Sequence, residues 1–158
     1  MRAGGEAARY CGDQAMMAVA CAGALATLVP VALHQLGALS HLPDPPGRRF
    51  DSDGITESKM AHPLGIPDGL LGMASYSATL ALIAISGRCS GARRLLAVKL
   101  VADGGAAAFN MLRQGMHFRR LCSWCTGTAL ATAAMVFAGR TVIGETASLL
   151  PACGCVQD

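Results

Sequence analysis

Three uncharged apolar runs, each of 19 residues, constrain the fold of this chain more than any other feature: Ala15–Leu33, Gly69–Gly87 and Leu121–Gly139. A helix of that length rises about 28 Å, close to the ~30 Å apolar thickness of a bilayer. A further run, Leu95–Leu112, has a suitable length but contains two charged residues. The pattern predicts an all-α integral membrane four-helix bundle, with a long extracytoplasmic loop between the first and second helices.

The composition agrees with a membrane location. Of the 158 residues, 53% are hydrophobic and only 15% are charged, which lies outside the usual range of water-soluble domains. The net charge is only +3, whereas disordered chains combine low hydrophobicity with high net charge. The 13 basic residues are scattered and form no stripe, so no nucleic acid partner is predicted.

The charged run is the third along the chain, and its charges are Lys99 and Asp103. Each charge at membrane depth costs at least ~2.5 kcal/mol on insertion scales. The two residues are four positions apart on one helix face, so they can neutralise each other. Alternatively, Lys99 extends to the interface near the cytoplasmic end while Asp103 faces the interior of the bundle.

Basic residues predict the orientation of the spans. Four of them lie between positions 88 and 99, and the positive-inside rule places this connection in the cytoplasm. Both termini are then cytoplasmic, and segments 35–63 and 114–120 lie on the extracytoplasmic side of the cell membrane. This assignment puts seven basic residues inside and six outside, so the charge bias by itself is small.

The spans divide the chain into three parts. Residues 1–14 are predicted as a cytoplasmic N-terminal tail, residues 15–143 as the transmembrane domain, and residues 144–158 as a cytoplasmic C-terminal tail. The alternative for the first run is a signal peptide, since two arginines precede it and Ala38-Leu39-Ser40 resembles a cleavage site. Against this, the apolar region of a signal peptide usually has only about 7–15 residues.

Cys122 and Cys125 stand at the predicted start of the fourth helix, directly after Arg119 and Arg120. Their spacing places both sulfurs on one helical turn, where they can form a small, easily reduced disulfide loop. Unsatisfied amide hydrogens at a helix N-terminus also stabilise a thiolate and lower its pKa. The pair is therefore a candidate redox centre, although isolated C-x-x-C matches are common.

The chain has seven cysteines, and an odd number argues against a closed disulfide framework. Cys21 is predicted to pack as a small apolar residue, and so are Cys11 and Cys89. Cys153 and Cys155 lie beyond the fourth span, so the topology excludes a zinc site shared with the C-x-x-C pair, and no metal is predicted. A role of this C-terminal pair as a thiol donor or metal-binding tail stays open.

Short motifs placed between the four runs resemble the vitamin K epoxide reductase family. In order they are HLPDPP at 41–46, FDSD at 50–53, Ser58, GIP at 65–67, Gly72 and CSWCTGTA at 122–129. The resemblance covers about positions 15–143, and chance would have to reproduce the topology as well as the letters. It implies a four-helix transmembrane bundle around a quinone of the ubiquinone, menaquinone or phylloquinone type, with the C-x-x-C as redox centre.

The resemblance also implies roles for individual residues. Cys125 faces the quinone, and Cys122 exchanges disulfides with a loop cysteine or a partner protein. Three residues of helix place Cys125 about 4.5 Å deeper than Cys122, so Cys122 is expected to meet water-borne thiols. Ser58 and Asp68 fall at quinone-side positions, where each can donate a hydrogen bond, Asp68 when protonated. The alternatives are a helix cap for Ser58 and an ordinary first-turn acid for Asp68.

The long loop departs from the family pattern. Family members that pass electrons through this loop have two cysteines in it, one of them at the position of Ser52, whereas segment 35–63 contains none. Cys122 is therefore expected to exchange directly with an external thioredoxin-like protein or a small dithiol. The alternative is a non-catalytic membrane scaffold or assembly protein that retains only the fold.

The predicted function is a membrane thiol:quinone oxidoreductase. Electrons pass from the dithiol to a quinone, and a mixed disulfide at Cys122 then reopens the pair. Because a quinone is generally the stronger oxidant, disulfide formation outside a bacterial inner membrane is the first prediction, and reduction of a quinone epoxide is the second.

Overall fold

The computed structural model describes the backbone of residues 2–149 and the side chains of residues 12–147. Its regular elements are six α-helices: α1 (Arg2–Gln35), α2 (Ser52–Thr56), α3 (Asp68–Ser86), α4 (Ser90–Arg113), α5 (Ser123–Ala138) and α6 (Arg140–Leu149). Two 3-10 turns, Lys59–Ala61 and Pro63–Gly65, precede α3, and a π-helical turn, Gln114–Phe118, extends α4. The chain is thus all-helical, as the sequence predicts.

Three helices of the described chain are long and apolar enough to cross a membrane. They comprise 24 residues of α1 (Gly12–Gln35), the 19 residues of α3, and 29 residues from α4 through the π-helical turn (Ser90–Phe118). The fourth predicted span differs from expectation, because α5 has only 16 residues. It passes the same length test only together with α6, to which it is bent by 56°.

The bend lies at Gly139, where helices approach closely. A Cβ atom there would lie 2.4 Å from Leu100 Cδ1 and 3.1 Å from Met17 Sδ, so only glycine fits without displacing both side chains. Gly139 also caps α5, donating its N–H to the carbonyl of Met135 at 2.9 Å. The uncharged run therefore ends in a tight contact between α1, α4 and α5.

The four long helices pack in cyclic order, with α1 between α3 and α5, and with α4 completing the ring. On α1, the buried residues Met17, Cys21, Ala24 and Leu28 recur every three or four positions. This spacing places them on one helix face, which packs into the core. The opposite side of the same helix exposes large apolar residues such as Val19, as expected of a surface in contact with lipid.

The two charged residues of α4 form an ion pair with each other, on the side of the helix that faces α3. The Lys99 ammonium donates to Asp103 and, at 2.7 Å, to Ser75 Oγ of α3. Asp103 is 6% exposed, which agrees with its predicted interior position. The mutual neutralisation of the two charges is confirmed, and the ammonium binds inside the helix packing rather than extending to an interface.

The predicted tails are partly helical. Residues 2–14 are continuous with α1, and residues 144–149 are the end of α6. Cys153 and Cys155 lie outside the described residues, as does the side chain of Cys11.

Residues 36–67, which we call the α1–α3 segment, fold over the start of α5. Phe50 forms an isolated parallel bridge with Leu121, and Asp51 pairs with Arg120 at 2.9 Å. The Trp124 indole N–H donates to the carbonyl of Pro43 at 3.2 Å. These contacts fix the segment above the C-x-x-C pair.

Candidate active site

The first turn of α5 positions both cysteines. Cys122 is the N-cap residue, and its sulfur accepts the backbone N–H of Cys125 at 3.1 Å. A hydrogen bond from the Cys125 side chain lowers the pKa of Cys122; burial opposes this, and bonds from Ser52 and from the amides of Cys125 and Trp124 add to it. The site therefore favours a thiolate at Cys122, because donors converge on its sulfur.

A cavity of about 410 Å³ lies between the helices beside this turn. Its lining is largely apolar, with a few polar groups: Leu28, Val31, Pro63, Asp68, Gly69, Leu71, Gly72, Ser75, Tyr76, Asp103, Ala106, Ala107, Phe109, Asn110, Arg113, Cys125, Thr128 and Ala129. Cys125 is in this lining and Cys122 is not. The two sulfurs thus have different surroundings.

Asp68 lies at the same end of the cavity as Cys125, close enough for the two side chains to interact electrostatically. Its Oδ1 accepts a hydrogen bond from Gln35 Nε2 at 2.7 Å, and its Oδ2 is 3.9 Å from Arg113 Nη2. Asp68 is also the first residue of α3. Its position therefore suits both a ligand contact and the favourable interaction of an acid with a helix N-terminus.

Ser58 is not in the cavity lining. It precedes the turn Lys59–Ala61 as its N-cap residue, but its side chain makes no capping bond there. Its hydroxyl instead donates to the carbonyl of Ile55 at 2.7 Å. The structure thus brings Cys122, Cys125 and Asp68 together, with Ser58 outside the group.

Two polar side chains of α4 that the sequence analysis did not assign to the site line the same end of the cavity. Arg113 donates from Nη2 to Asn110 Oδ1 at 2.9 Å and from Nη1 to the carbonyl of Met60 at 2.8 Å. Its Nε is buried and has no hydrogen-bond partner within the described part of the chain. Arg113 and Asn110 therefore offer N–H donors to a ligand beside Cys125.

Gln114, in the π-helical turn, joins the two cysteines. Its Oε1 accepts the backbone N–H of Cys122 at 2.9 Å. Its side chain also lies close enough to Cys125 to interact with the thiol, and its amide nitrogen is buried without a hydrogen-bond partner among the described residues. Gln114 is 1% exposed. π-helical turns are frequent at functional sites, and here the turn directs a buried amide at both cysteines.

The α1–α3 segment covers Cys122 through a network centred on Asp44. The Asp44 carboxylate accepts the Ser52 hydroxyl at 2.6 Å, the Ser52 N–H at 2.7 Å and the Ser123 hydroxyl at 2.5 Å. Burial raises the pKa of Asp44, but these hydrogen bonds outweigh it and lower the pKa overall. The Ser52 hydroxyl therefore lies beside the start of α5, between Asp44 and Ser123.

This covering corrects one expectation. Cys122 is fully buried, at 0% exposure, instead of meeting water-borne thiols. Helical rise predicts only the relative depth of the two cysteines, whereas the fold of the α1–α3 segment determines access from outside.

The other described cysteines, Cys21 and Cys89, are not in the cavity lining. Cys21 is buried as predicted, and its thiol donates to the carbonyl of Tyr76 at 3.2 Å. The prediction that Cys89 packs as a small apolar residue is wrong, because Cys89 is exposed as the N-cap residue of α4.

The cavity suits a quinone ring. Its volume lies within the roughly 300–1,000 Å³ range of small-molecule sites, and apolar walls with a few convergent polar groups are typical of them. The N–H donors of Asn110 and Arg113 match a carbonyl oxygen, which only accepts hydrogen bonds. Cys125 provides a sulfur on the wall of the same cavity.

Comparison with known proteins identifies the family. No curated protein matches the chain. A sequence model of the vitamin K epoxide reductase family matches residues 14–139, which include the four long helices, the α1–α3 segment and the C-x-x-C pair. The chain therefore belongs to the vitamin K epoxide reductase family.

Proposed function

We propose that the protein is a membrane thiol:quinone oxidoreductase that passes electrons from Cys122 and Cys125 to a quinone of the ubiquinone, menaquinone or phylloquinone type. The observation that carries the proposal is the position of Cys125 on the wall of a largely apolar cavity, one turn from a cysteine whose thiolate is stabilised. Family membership supports the same chemistry.

In this proposal α1, α3, α4 and the bent pair of α5 and α6 form a four-helix transmembrane bundle. The bundle lies in the bacterial inner membrane, and the α1–α3 segment lies on the extracytoplasmic side. The apolar character of the long helices supports the membrane location. The basic residues Arg88, Arg93 and Arg94, in the α3–α4 turn and at the start of α4, support the sidedness.

The reaction balances as dithiol plus quinone giving disulfide plus quinol. Two electrons leave the sulfurs of Cys122 and Cys125, one S–S bond forms between them, and two protons are transferred. When Cys122 begins as a thiolate, solvent supplies the second proton. A bound quinone supplies the two-electron acceptor. The protein positions Cys125 beside it, excludes water with apolar walls, and stabilises the Cys122 thiolate through donors in the first turn of α5.

Resetting the site requires a second dithiol. Its thiolate attacks Cys122, Cys125 leaves as the thiolate, and a mixed disulfide forms. The second thiol of the carrier then releases Cys122, so that the carrier is oxidised. Because Cys122 is buried, the α1–α3 segment must move before a thioredoxin-like protein or a small dithiol can reach it.

The experiment measures quinone absorbance in purified protein supplied with a dithiol. Wild type is expected to reduce the quinone catalytically, whereas Cys122→Ala and Cys125→Ala each lose this activity. Cys89→Ala is the matched control, because it removes an exposed thiol far along the chain from the site. Full activity in either site variant would contradict the proposal.

A non-catalytic scaffold is the second candidate, favoured by two observations. Serine stands at the loop position that carries a cysteine in family members with an internal shuttle, and Cys122 is fully covered. A scaffold predicts no change in quinone absorbance on adding the dithiol, in wild type or in any variant. The same titration therefore separates the two candidates.

A further inference from the structure

Three polar residues at the other end of the cavity take no part in the thiol chemistry. We call Ser75, Lys99 and Asp103 the deep polar cluster. Ser75 and Asp103 line the cavity, and Lys99 donates to both of them. Charged residues within membrane-spanning helices are costly and are commonly functional. The cluster therefore needs an explanation beyond packing.

The two polar ends of the cavity are separated by two helical turns. Asp68 and Ser75 are seven residues apart on α3, and Asn110 and Asp103 are seven residues apart on α4. Each interval corresponds to about 10.5 Å along the helix axis. A para-quinone has one carbonyl oxygen at each end of an apolar ring, and each oxygen accepts hydrogen bonds of about 2.8 Å. The cavity offers polar groups at both ends of such a molecule.

At the end of the cavity formed by the deep polar cluster, the Ser75 hydroxyl is the hydrogen-bond donor that can turn to a ligand with the smallest loss of existing interactions. Its hydroxyl donates to Asp103 Oδ1 at 3.0 Å. If that hydroxyl turned to a ligand, the carboxylate would keep Lys99 at Oδ1 and the Thr79 hydroxyl at Oδ2, the latter at 2.6 Å. No buried charge would be left unpaired, which is the costly outcome in a dry site. Lys99 also polarises the Ser75 hydroxyl, which strengthens it as a donor.

The two other hydroxyls that line the cavity, those of Thr128 and Tyr76, are already engaged. Thr128 donates to the carbonyl of Trp124 at 3.1 Å. Tyr76 contacts the hydroxyl of Thr132. Thr132 donates its proton to the carbonyl of Thr128 at 2.7 Å. In the 2.5 Å contact between the hydroxyls of Tyr76 and Thr132, Tyr76 must therefore be the donor. Tyr76 has no second proton for a ligand.

We propose that Ser75 donates a hydrogen bond to the second carbonyl oxygen of the bound quinone. Lys99 and Asp103 act through Ser75 as positioning residues. The site thereby selects para-quinones, which have two carbonyl oxygens, over related ligands with one. This inference rests on the proposed function and adds Ser75 as a specificity-determining residue of the same site.

The test compares binding of menadione with that of 2-methyl-1-tetralone, which keeps one carbonyl. Binding to the oxidised, full-length protein is followed by fluorescence quenching of Trp124, which is the single tryptophan of the chain and adjoins Cys125. Ser75→Ala is expected to weaken menadione binding about fivefold to tenfold, the loss of one hydrogen bond, and to leave tetralone binding unchanged. Ser75→Thr, which retains a hydroxyl, restores the preference.

Ser77→Ala is the matched control, because it makes the same change at an exposed serine of α3 outside the cavity lining. Its preference for menadione is expected to equal that of wild type. If Ser75→Ala weakens the binding of both ligands equally, or weakens neither, the inference is overturned while the thiol chemistry stays intact. Failure of wild type to bind menadione at all overturns the proposed function and this inference together.

Discussion

The different surroundings of the two sulfurs are the main finding at the scale of residues. Cys122 caps a helix beneath the α1–α3 segment, and Cys125 lines the cavity. The family resemblance implied different roles for the two cysteines, and helical rise predicted only that Cys125 lies about 4.5 Å deeper than Cys122. The sequence did not predict that the outer cysteine is covered, since that depends on contacts across about seventy residues, such as Ser123 N–H to Ser52 Oγ at 3.0 Å.

The thiolate of Cys122 gives a prediction at this scale. Its pKa is lowered first by the hydrogen bond from Cys125 and less by the one from Ser52. Cys125→Ala is therefore expected to raise the pKa of Cys122 more than Ser52→Ala does. The measurement is a pH titration of the thiolate ultraviolet absorbance in reduced protein, with Cys122→Ser as the control that lacks the transition. An unchanged titration in Cys125→Ala would contradict the proposed donor arrangement.

The lowered pKa of the Cys122 thiol also determines how the stability of the reduced protein changes with pH. The folded protein holds Cys122 as a thiolate at pH values where the unfolded chain still binds the proton, because the folded pKa is the lower one. The free energy of unfolding of the reduced protein is thus expected to rise with pH between the folded and the unfolded pKa of this thiol. It falls as pH drops through the folded pKa. In Cys122→Ser this part of the pH dependence should be absent, which chemical unfolding at several pH values will reveal.

The polar residues with which α4 lines the cavity are only weakly indicated by the sequence. Asp103, Asn110 and Arg113 recur at helical spacing on one face, and that periodicity was available from the sequence. Gln114 was harder to recognise, because its position depends on a π-helical turn that no local pattern indicated. The apolar runs predicted the long helices well, but their lengths did not reveal the close contact at Gly139 that ends α5.

At the scale of elements, we expect the contacts between the α1–α3 segment and α5 to control access to Cys122. Asp44 accepts one hydrogen bond across this contact, from the Ser123 hydroxyl at 2.5 Å, and two more from Ser52 within the segment. A hydrogen bond to a charged group contributes about 1.5–3 kcal/mol. Asp44→Ala is therefore expected to speed alkylation of Cys122 at least about tenfold, as ~1.4 kcal/mol corresponds to a factor of ten. Mass spectrometry of the labelled peptide measures the rate.

Arg120→Ala provides the comparison for this prediction. It breaks the ion pair with Asp51. The side chain of Arg120 is 53% exposed and that of Asp51 is 37% exposed. Exposed ion pairs contribute only about 0–1 kcal/mol, so the labelling rate should change little. Equal rates in Asp44→Ala and wild type would show that the Asp44 network does not control access.

The ion pair of α4 gives a second prediction for the elements. Lys99→Met leaves the Asp103 carboxylate buried without its cation and is expected to destabilise the protein by about 3 kcal/mol or more. The double variant Lys99→Met with Asp103→Leu should recover most of this loss, because no unpaired charge remains. Thermal unfolding in detergent measures both. If the double variant were as unstable as the sum of its single changes, the two charges would not be coupled.

At the scale of the whole molecule, four helices surround one cavity and an irregular segment covers one end of it. Family membership, helix packing and the cavity point to the same chemistry, although each arises from a different part of the chain. Segment 35–63 contains no cysteine, and its Ser52 takes part in a hydrogen-bond network with Asp44 and Ser123. The electron path is thus expected to pass from an external dithiol to Cys122, then to Cys125, and then to the quinone.

A single-turnover measurement tests this path most directly. Fully reduced protein is mixed with one equivalent of quinone without oxygen, and its thiols are then counted and mapped by mass spectrometry. We expect one quinol per protein and one new disulfide, joining Cys122 to Cys125, with Cys21 and Cys89 still reduced. Unchanged quinone with both site thiols free, or electrons drawn from other cysteines, would contradict the account.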